Sequence, residues 1–330
     1  MQLLGNQFVA CPMPINPLYR EQSEIYILCK PLLYRGIWTK EQSFERLIQL
    51  NDFKAVLQDN PQIKDLVQGE LVVNYEALAQ HYGIATNMMD MTNSLLVTAF
   101  FATTKYDPVA DDYHQILHTI SKGIIYFSLT GDLLNFSKRN RIWPTGQEAL
   151  KRPGEQRAFA MVMENNSDFD MQYFTFWHNP ESLLKVWELT QGGKLLFPFD
   201  PMAEKVRIMK KYKIYSLEGL RTAYESNKDF AETFEEARQI MENNECTFMN
   251  HLPFPYTKDE INYITDIYHK MYPDSFGVKY YWSLEIFNMI TLKRVKRLQG
   301  LTETSEKRIP KQKMTHTNAE KTIDNDEVFA

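Results

Sequence analysis

The sequence predicts an α+β fold in which a mixed or antiparallel sheet is flanked by helices and followed by a C-terminal helical extension. Three observations carry this. Segments rich in β-branched and aromatic residues fall mainly in the first two thirds of the 330 residues, and segments of helical period dominate the last third. No repeat of fixed period occurs, and no Gly/Ser-rich linker interrupts residues 20–300. The composition, 44% hydrophobic and 24% charged, supplies a sizeable core without disulfide or metal staples.

Taken in order, the apolar run Pro31-Leu32-Leu33 leads into Tyr34-Arg35-Gly36, so Arg35 is expected at a strand end where the backbone bends at Gly36. Residues 41–59 place Phe44, Leu47, Ile48, Phe53, Val56 and Leu57 on one helical face, which is expected to pack on the sheet. Asn74 suits the N-cap of a short helix with Tyr75, Leu78, Ala79 and Tyr82 inward, and Gly83 suits the left-handed residue after it. Residues 94–103 are almost wholly apolar and read as a buried helix, with a buried strand as the alternative.

Residues 123–129 read as a strand entering a turn at Gly131-Asp132, and residues 158–163 as a second strand. Residues 194–199 and 205–209 are expected as short edge strands, since Pro198 and Pro201 would interrupt a central ladder. Helices follow. Phe230, Phe234, Ala237, Ile240 and Met241 define one, and the capping box Thr257/Glu260 opens another that carries Ile261, Ile264 and Ile267. Residues 281–298 complete the set. The polar stretch 302–330 holds too few apolar residues to offset its ordering entropy and is expected to be disordered. The implied organisation is an N-terminal segment 1–29, an α+β core 30–210, a helical extension 211–301 and a tail 302–330.

A net charge of −5 gives no general cationic field for nucleic acid. Any such contact would be local, through Lys293, Arg294, Lys296 and Arg297, which equally suit a helix C-terminus and a solvated tail. Cys11, Cys29 and Cys246 are widely spaced and odd in number, which fits a reducing, cytoplasmic compartment. The first residues lack the pattern of a signal peptide, and no apolar run reaches the length of a membrane span. The sequence contains no GxGxxG, P-loop, GxSxG or CxxC motif, so P-loop hydrolysis, serine-hydrolase chemistry and zinc ribbons have no support in it. His114 and His118, after Asp111 and Asp112, would share a helical face, but the Glu of a metalloprotease helix is missing and no metal is expected.

Gln80, His81, Asp90 and Thr92 form a polar group between apolar segments, a placement that demands internal partners or a ligand. Two readings stand side by side: His81 satisfies a carbonyl and Asp90 caps the next helix, or both serve a site. Arg152-Pro153-Gly154-Glu155-Gln156-Arg157 precedes the second strand, either as a solvated turn or as an approach of Glu155 and Gln156 to the same cleft.

Tyr34-Arg35-Gly36, the Gln80-His81-Tyr82-Gly83 turn, Asp90-Met91-Thr92 and the apolar run ending Phe100-Phe101-Ala102 together resemble the FRG domain, over roughly residues 30–165. Two positions depart from the family pattern: Asn87 stands where an Arg is usual and Met91 where a Trp is usual. The order of parts is also similar to arginine-type ADP-ribosyltransferases. That resemblance implies a nucleotide or small-molecule ligand, NAD as cosubstrate, ligand contacts from Tyr34, Arg35, Gly36, Gln80, His81, Tyr82, Asp90, Thr92 and Gln156, and Glu155 as catalytic carboxylate, with Glu148 and Glu164 as rivals. It also implies a setting in bacterial defence. The competing expectation is a non-catalytic nucleotide- or partner-binding module whose C-terminal helices contact a protein.

Overall fold

Six strands form one antiparallel sheet, in the order β10-β7-β3-β4-β9-β8. They are β3 (Pro17–Gln22), β4 (Met88–Thr92), β7 (Lys122–Leu129), β8 (Ile142–Trp143), β9 (Ala158–Val162) and β10 (Gln172–Trp177). The computed structural model describes residues 2–4, 7–9, 17–26, 28–61, 63–64, 73–107, 112–116, 121–129, 142–143, 145, 150–165, 169 and 171–271. All lie within one unit of the chain, Met1–Met289. The expected turn at Gly131-Asp132, the helix 281–298, the tail 302–330, Cys11 and the basic run at Lys293, Arg294, Lys296 and Arg297 fall outside the described residues.

Alternation divides the sheet into two faces. Leu18, Met89, Met91, Ile124, Tyr126 and Met161 share one apolar cluster with Cys29 and Phe169. Their strand neighbours Tyr19, Glu21, Asp90, Thr92 and Ala160 therefore take the other face. There Met88 and Ala160 pack under Ala77 of helix α2 (Tyr75–Gln80), and helix α3 (Leu95–Thr103) lies across β3 and β7. The ladder is uneven. β3 pairs with β7 from Pro17↔Leu129 to Gln22↔Ile124, but with β4 only at Tyr19↔Thr92. Beyond that pair the two central strands form a fork.

The α+β class is as the sequence predicts, and the strands at 123–129 and 158–163 lie where expected. Strands β3, β4 and β10 carry no matching expectation. The Asp90 cap is also replaced: Ser94 caps α3 by accepting from the Val97 N–H, and Asp90 sits inside β4. Helix α3 is buried on one side only, since Leu95 and Leu96 are exposed. Residues 32–34 form a 3-10 turn rather than a strand end.

Helix α1 (Lys40–Gln58) opens with a capping box in which Thr39 Oγ1 accepts from Gln42 N–H and Gln42 Oε1 from Thr39 N–H, each at 3.1 Å. It packs chiefly on helix α7 (Leu217–Ser226) and against α2, rather than on the sheet. Phe44 stacks on Phe230 at 3.7 Å between centroids, and Phe53, Val56 and Leu57 fill a second cluster with Leu78 and Met202. Each such side chain contributes about 1.5–3 kcal/mol on full burial.

Residues 205–209 are helical, not an edge strand, because Asp200 accepts the Met202 N–H at 2.9 Å and Pro201 occupies the first turn of helix α6 (Pro201–Tyr212). Residues 194–199 form turns after helix α5 (Pro180–Leu189) instead of a strand. Past α6 the chain adds α7, helix α8 (Phe234–Asn243) and helix α9 (Lys258–Met271). The Thr257/Glu260 capping box at the head of α9 is present, with distances of 2.7 and 3.2 Å. A short parallel pair, β11 (Ile214–Ser216) with β12 (Thr247–Met249), joins the helices.

Candidate functional site at the fork between the central strands

Two residues into the fork from the Tyr19↔Thr92 pair, Glu21 and Asp90 fall on the same face of their diverging strands. Several buried polar atoms that make no hydrogen bond among the described residues gather at the fork: Arg20 Nε, Glu21 Oε2, Gln22 Oε1 and Asp90 Oδ1. Buried polar groups are normally paired, so four orphans on two adjacent strands mark a place built for something other than the fold.

Charge concentrates there. Glu21 is 7% exposed, and burial pushes its carboxyl up to about 8; the Arg20 charge pulls it back and Asp90 adds to the rise. Burial alone would lower Arg20, but Glu21, Cys29 and Asp90 outweigh it and raise it above the ordinary value. Arg20 Nη1 stands 3.9 Å from Glu21 Oε1, beyond hydrogen-bond range. Tyr113 faces the same charges, and burial followed by Asp90 lifts its hydroxyl to about 12.

His81 closes the site from the end of α2. Gln156 holds it. The Gln156 amide nitrogen donates to the Leu196 carbonyl at 3.2 Å, which turns Oε1 toward His81 Nδ1 at 3.0 Å. An acceptor at that position assigns the proton of neutral His81 to Nδ1. Nε2 can then accept from Thr145 Oγ1 at 3.5 Å, and Asp90 Oδ1, itself an acceptor, stands 3.8 Å away. The Gln156 carbonyl also accepts from Thr92 Oγ1 at 2.8 Å, and Thr92 Oγ1 in turn accepts the Ser94 N–H. Arg152 donates to the His81 carbonyl at 3.2 Å. Thus His81, Thr92 and Gln156, distant in sequence, form one hydrogen-bonded group, and Asp90 stands beside it, 3.8 Å from His81.

The remaining expected residues are placed differently. Gln80 Oε1 accepts from Thr86 Oγ1, which anchors the loop entering β4. Tyr82 is buried and donates to Asp200 Oδ2 at 2.5 Å, with the Arg152 guanidinium 5.3 Å from its ring. Burial raises both the Tyr82 hydroxyl and the Asp200 carboxyl above their ordinary values. Arg35 is exposed and donates through Nε to the Lys30 carbonyl at 2.7 Å, leaving its other N–H groups for a ligand. Partial burial and then the like charge of Arg20 lower its pKa, while Asp90 acts in the opposite sense, so Arg35 lies within electrostatic reach of the fork.

Glu155 is exposed at the end of the short helix α4 (Lys151–Glu155) and bonds to none of the described residues. Glu164 is exposed after β9, and Glu148 lies outside the described residues. Asn87 has its Oδ1 buried without a partner, and Met91 belongs to the apolar face. His114 is exposed on strand β6 (Asp112–Gln115), opposite Lys105, and not on a helix; Asp111 and His118 lie outside the described residues.

Arg20, Glu21 and Gln22 escape sequence reasoning because they belong to no motif. The one available signal is a pair of charges directly after the apolar Leu18-Tyr19. Two open clefts flank the region. One of about 460 Å³ includes Arg35 and Gly36, and one of about 510 Å³ includes Tyr113, His114 and Trp187. Neither contains His81 or Asp90, whose group is enclosed and reached from the side of Asp90.

The class defined so far is an α+β protein with a charged site at a split in an antiparallel sheet. A family model described as the FRG domain matches residues 16–111, and the protein carries an FRG domain over that span. The match includes Arg20, Glu21, Arg35, His81, Asp90 and Thr92, whereas Arg152 and Gln156 reach the site from beyond it. Neither the curated proteins nor the solved structures compared with the chain gave a match. No helix among the described residues is long and apolar enough to cross a membrane.

Proposed function

We propose that the fork binds the ribose-phosphate part of a nucleotide and that the protein acts on NAD as an ADP-ribosyltransferase-like or glycohydrolase-like enzyme. The observation that carries this is the set of orphaned polar atoms on Arg20, Glu21, Gln22 and Asp90. Its two signs match a ligand that is anionic at one end and rich in hydroxyls at the other. Arg20 and Arg35 offer N–H donors of the kind that hold phosphate. Glu21, protonated near neutral pH, can donate to a sugar oxygen. The Asp90 carboxylate and His81 Nε2 accept from hydroxyls.

Breaking the bond between ribose and nicotinamide develops positive charge at the anomeric carbon, and a fixed carboxylate in a site shielded from water stabilises it. Asp90 is the carboxylate best joined to the polar group, and Glu155 is the alternative that the family resemblance supplies. The role in bacterial defence rests on that resemblance as well.

Titration calorimetry with NAD, followed by chromatography for released nicotinamide, tests the reading. Arg35→Ala is expected to weaken binding about tenfold or more, the size of one charge-assisted contact. Asp90→Asn is expected to keep binding and lower turnover at least a hundredfold. Intact protein that binds no NAD would sink the proposal. A second reading, binding without turnover, draws on the exposed position of Glu155 apart from the polar group. It predicts saturable NAD binding with no nicotinamide released.

A further inference from the structure

The cleft of about 460 Å³ opens between the turn that carries Tyr34-Arg35-Gly36 and one face of α1. Its size falls in the range of small-molecule sites. Arg35, Gly36 and Trp38 line it from the turn, and Gln42, Glu45 and Arg46 from α1, where Glu45 accepts from the Tyr215 hydroxyl at 2.6 Å. Arg46 donates through Nη1 to the Ala85 carbonyl at 3.3 Å, yet its Nε is buried without a partner. Partial burial holds Arg46 below the ordinary arginine value, with Glu76 and Tyr34 acting against the shift. Trp38 is half-buried, and among the described residues no ring packs against it.

Gly36 adds an independent pointer. Its φ lies outside the left-handed region, and a Cβ built there would meet nothing within 4 Å. Neither backbone conformation nor neighbouring atoms require glycine at this position. The room that a side chain would take borders the cleft that Gly36 lines.

We propose that this cleft receives the nucleobase of the same nucleotide, with the ring against Trp38 and the phosphates running past Arg46 and Arg35 toward Arg20. The assignment rests on the reading of the fork as a ribose-phosphate site. Arg35 links the two places, since it lines the cleft and the charges of Arg20 and Asp90 act on it. A flat indole half-open to solvent suits a purine face, and the planar guanidinium of Arg46 suits a phosphate at its edge.

The test is calorimetry of the full chain with two probes, ADP and ribose 5-phosphate. ADP is expected to bind at least tenfold tighter. Trp38→Leu and Gly36→Val are each expected to weaken ADP about tenfold or more while leaving ribose 5-phosphate unchanged. Gly36→Val is expected to melt with the wild type, because the fold has space for the added side chain. Wild-type ADP affinity in both variants overturns the assignment, as does equal affinity of wild type for the two probes. Loss of ADP binding in Trp38→Leu, beside unaltered ribose 5-phosphate binding in Arg20→Met and Glu21→Leu, supports the cleft and removes the fork reading. Failure of wild type to bind either probe overturns both.

Discussion

The fork between β3 and β4 and the helical layer built on α1 both bury charge, but they treat it differently. In the helical layer each buried carboxylate and ammonium has partners. Asp52 accepts from Ser216 N at 2.7 Å and Ser216 Oγ at 2.5 Å, Asp200 accepts from Tyr82 and Met202, and Lys205 donates to the Pro255 carbonyl and to Glu260 at 3.0 and 2.8 Å. At the fork, Arg20, Glu21 and Asp90 keep buried atoms with no hydrogen-bond partner among the described residues. Burial of charge therefore has two meanings in this one molecule. Where partners are complete it joins elements of the fold, and where they are missing it marks the place for a ligand.

The comparison breaks most directly at Asp52. Asp52→Ala leaves the Ser216 N–H and hydroxyl buried without an acceptor, and it is expected to lower stability by about 3 kcal/mol in denaturant unfolding. Gly219→Ala should act in the same way, because a Cβ there would collide with the Asp52 carboxyl. Asp90→Asn removes an equally charged group, yet is expected to change stability by about 1 kcal/mol or less while abolishing turnover. Equal losses at Asp52 and Asp90 would end the distinction.

Glu21 sharpens it through pH. Its folded pKa, about 8, lies above the unfolded value, so the folded state holds a proton that the unfolded chain has released. The resulting stability is complete below the unfolded pKa and is lost as pH rises through about 8. Glu21→Gln should match the wild type near pH 4 and exceed it by about 4–5 kcal/mol at pH 9. Asp52, raised to about 6 by burial against the pull of its Ser216 hydrogen bonds, contributes a smaller fall of the same sign between about pH 4 and 6. A Glu21→Gln curve parallel to wild type across this range would show that Glu21 titrates normally.

Gln156 belongs to both behaviours, since it is fully partnered yet sets the state of a site residue. Gln156→Leu is expected to cost about 1–2 kcal/mol, because the Leu196 carbonyl and His81 Nδ1 lose their partner. Nitrogen NMR of the imidazole should find the Nδ1–H form of His81 in the wild type and a shift toward Nε2–H in the variant. The opposite order would remove Gln156 as the positioning residue.

Much of the helical layer was legible because its signals are local. Asn74, and Thr257 with Glu260, cap where their spacing predicts, and Gly83 takes its left-handed conformation at φ 73°. The two wrong strands also have a local cause. Val206 and Ile208 alternate with Lys205 and Arg207 as strand residues would, and only the cap at Asp200 with Pro201 behind it decides for a helix. The fork was half legible. His81, Asp90, Thr92 and Gln156 stood out as polar residues among apolar ones, whereas Arg20 and Glu21 become a site only through pairing with a strand some seventy residues away. Such pairing has no periodic signature in Leu18-Tyr19-Arg20-Glu21-Gln22, where polarity is consecutive rather than alternating.

The smallest expected effect fixes the lower end of the comparison. Arg238 and Glu242, one turn apart on α8, form an ion pair at 2.8 Å as complete as any in the helical layer, but both are exposed. Water already satisfies each charge in the unfolded chain, so the pair gains little from folding. Arg238→Ala is expected to leave the thermal unfolding midpoint close to that of the wild type, and closer still in high salt. A loss near that of Asp52→Ala would mean that partnering alone sets the energy. The expected small value instead makes burial the condition under which a missing partner matters; Glu21 meets it fully at the fork, Arg20 largely, and Asp90 through Oδ1 alone.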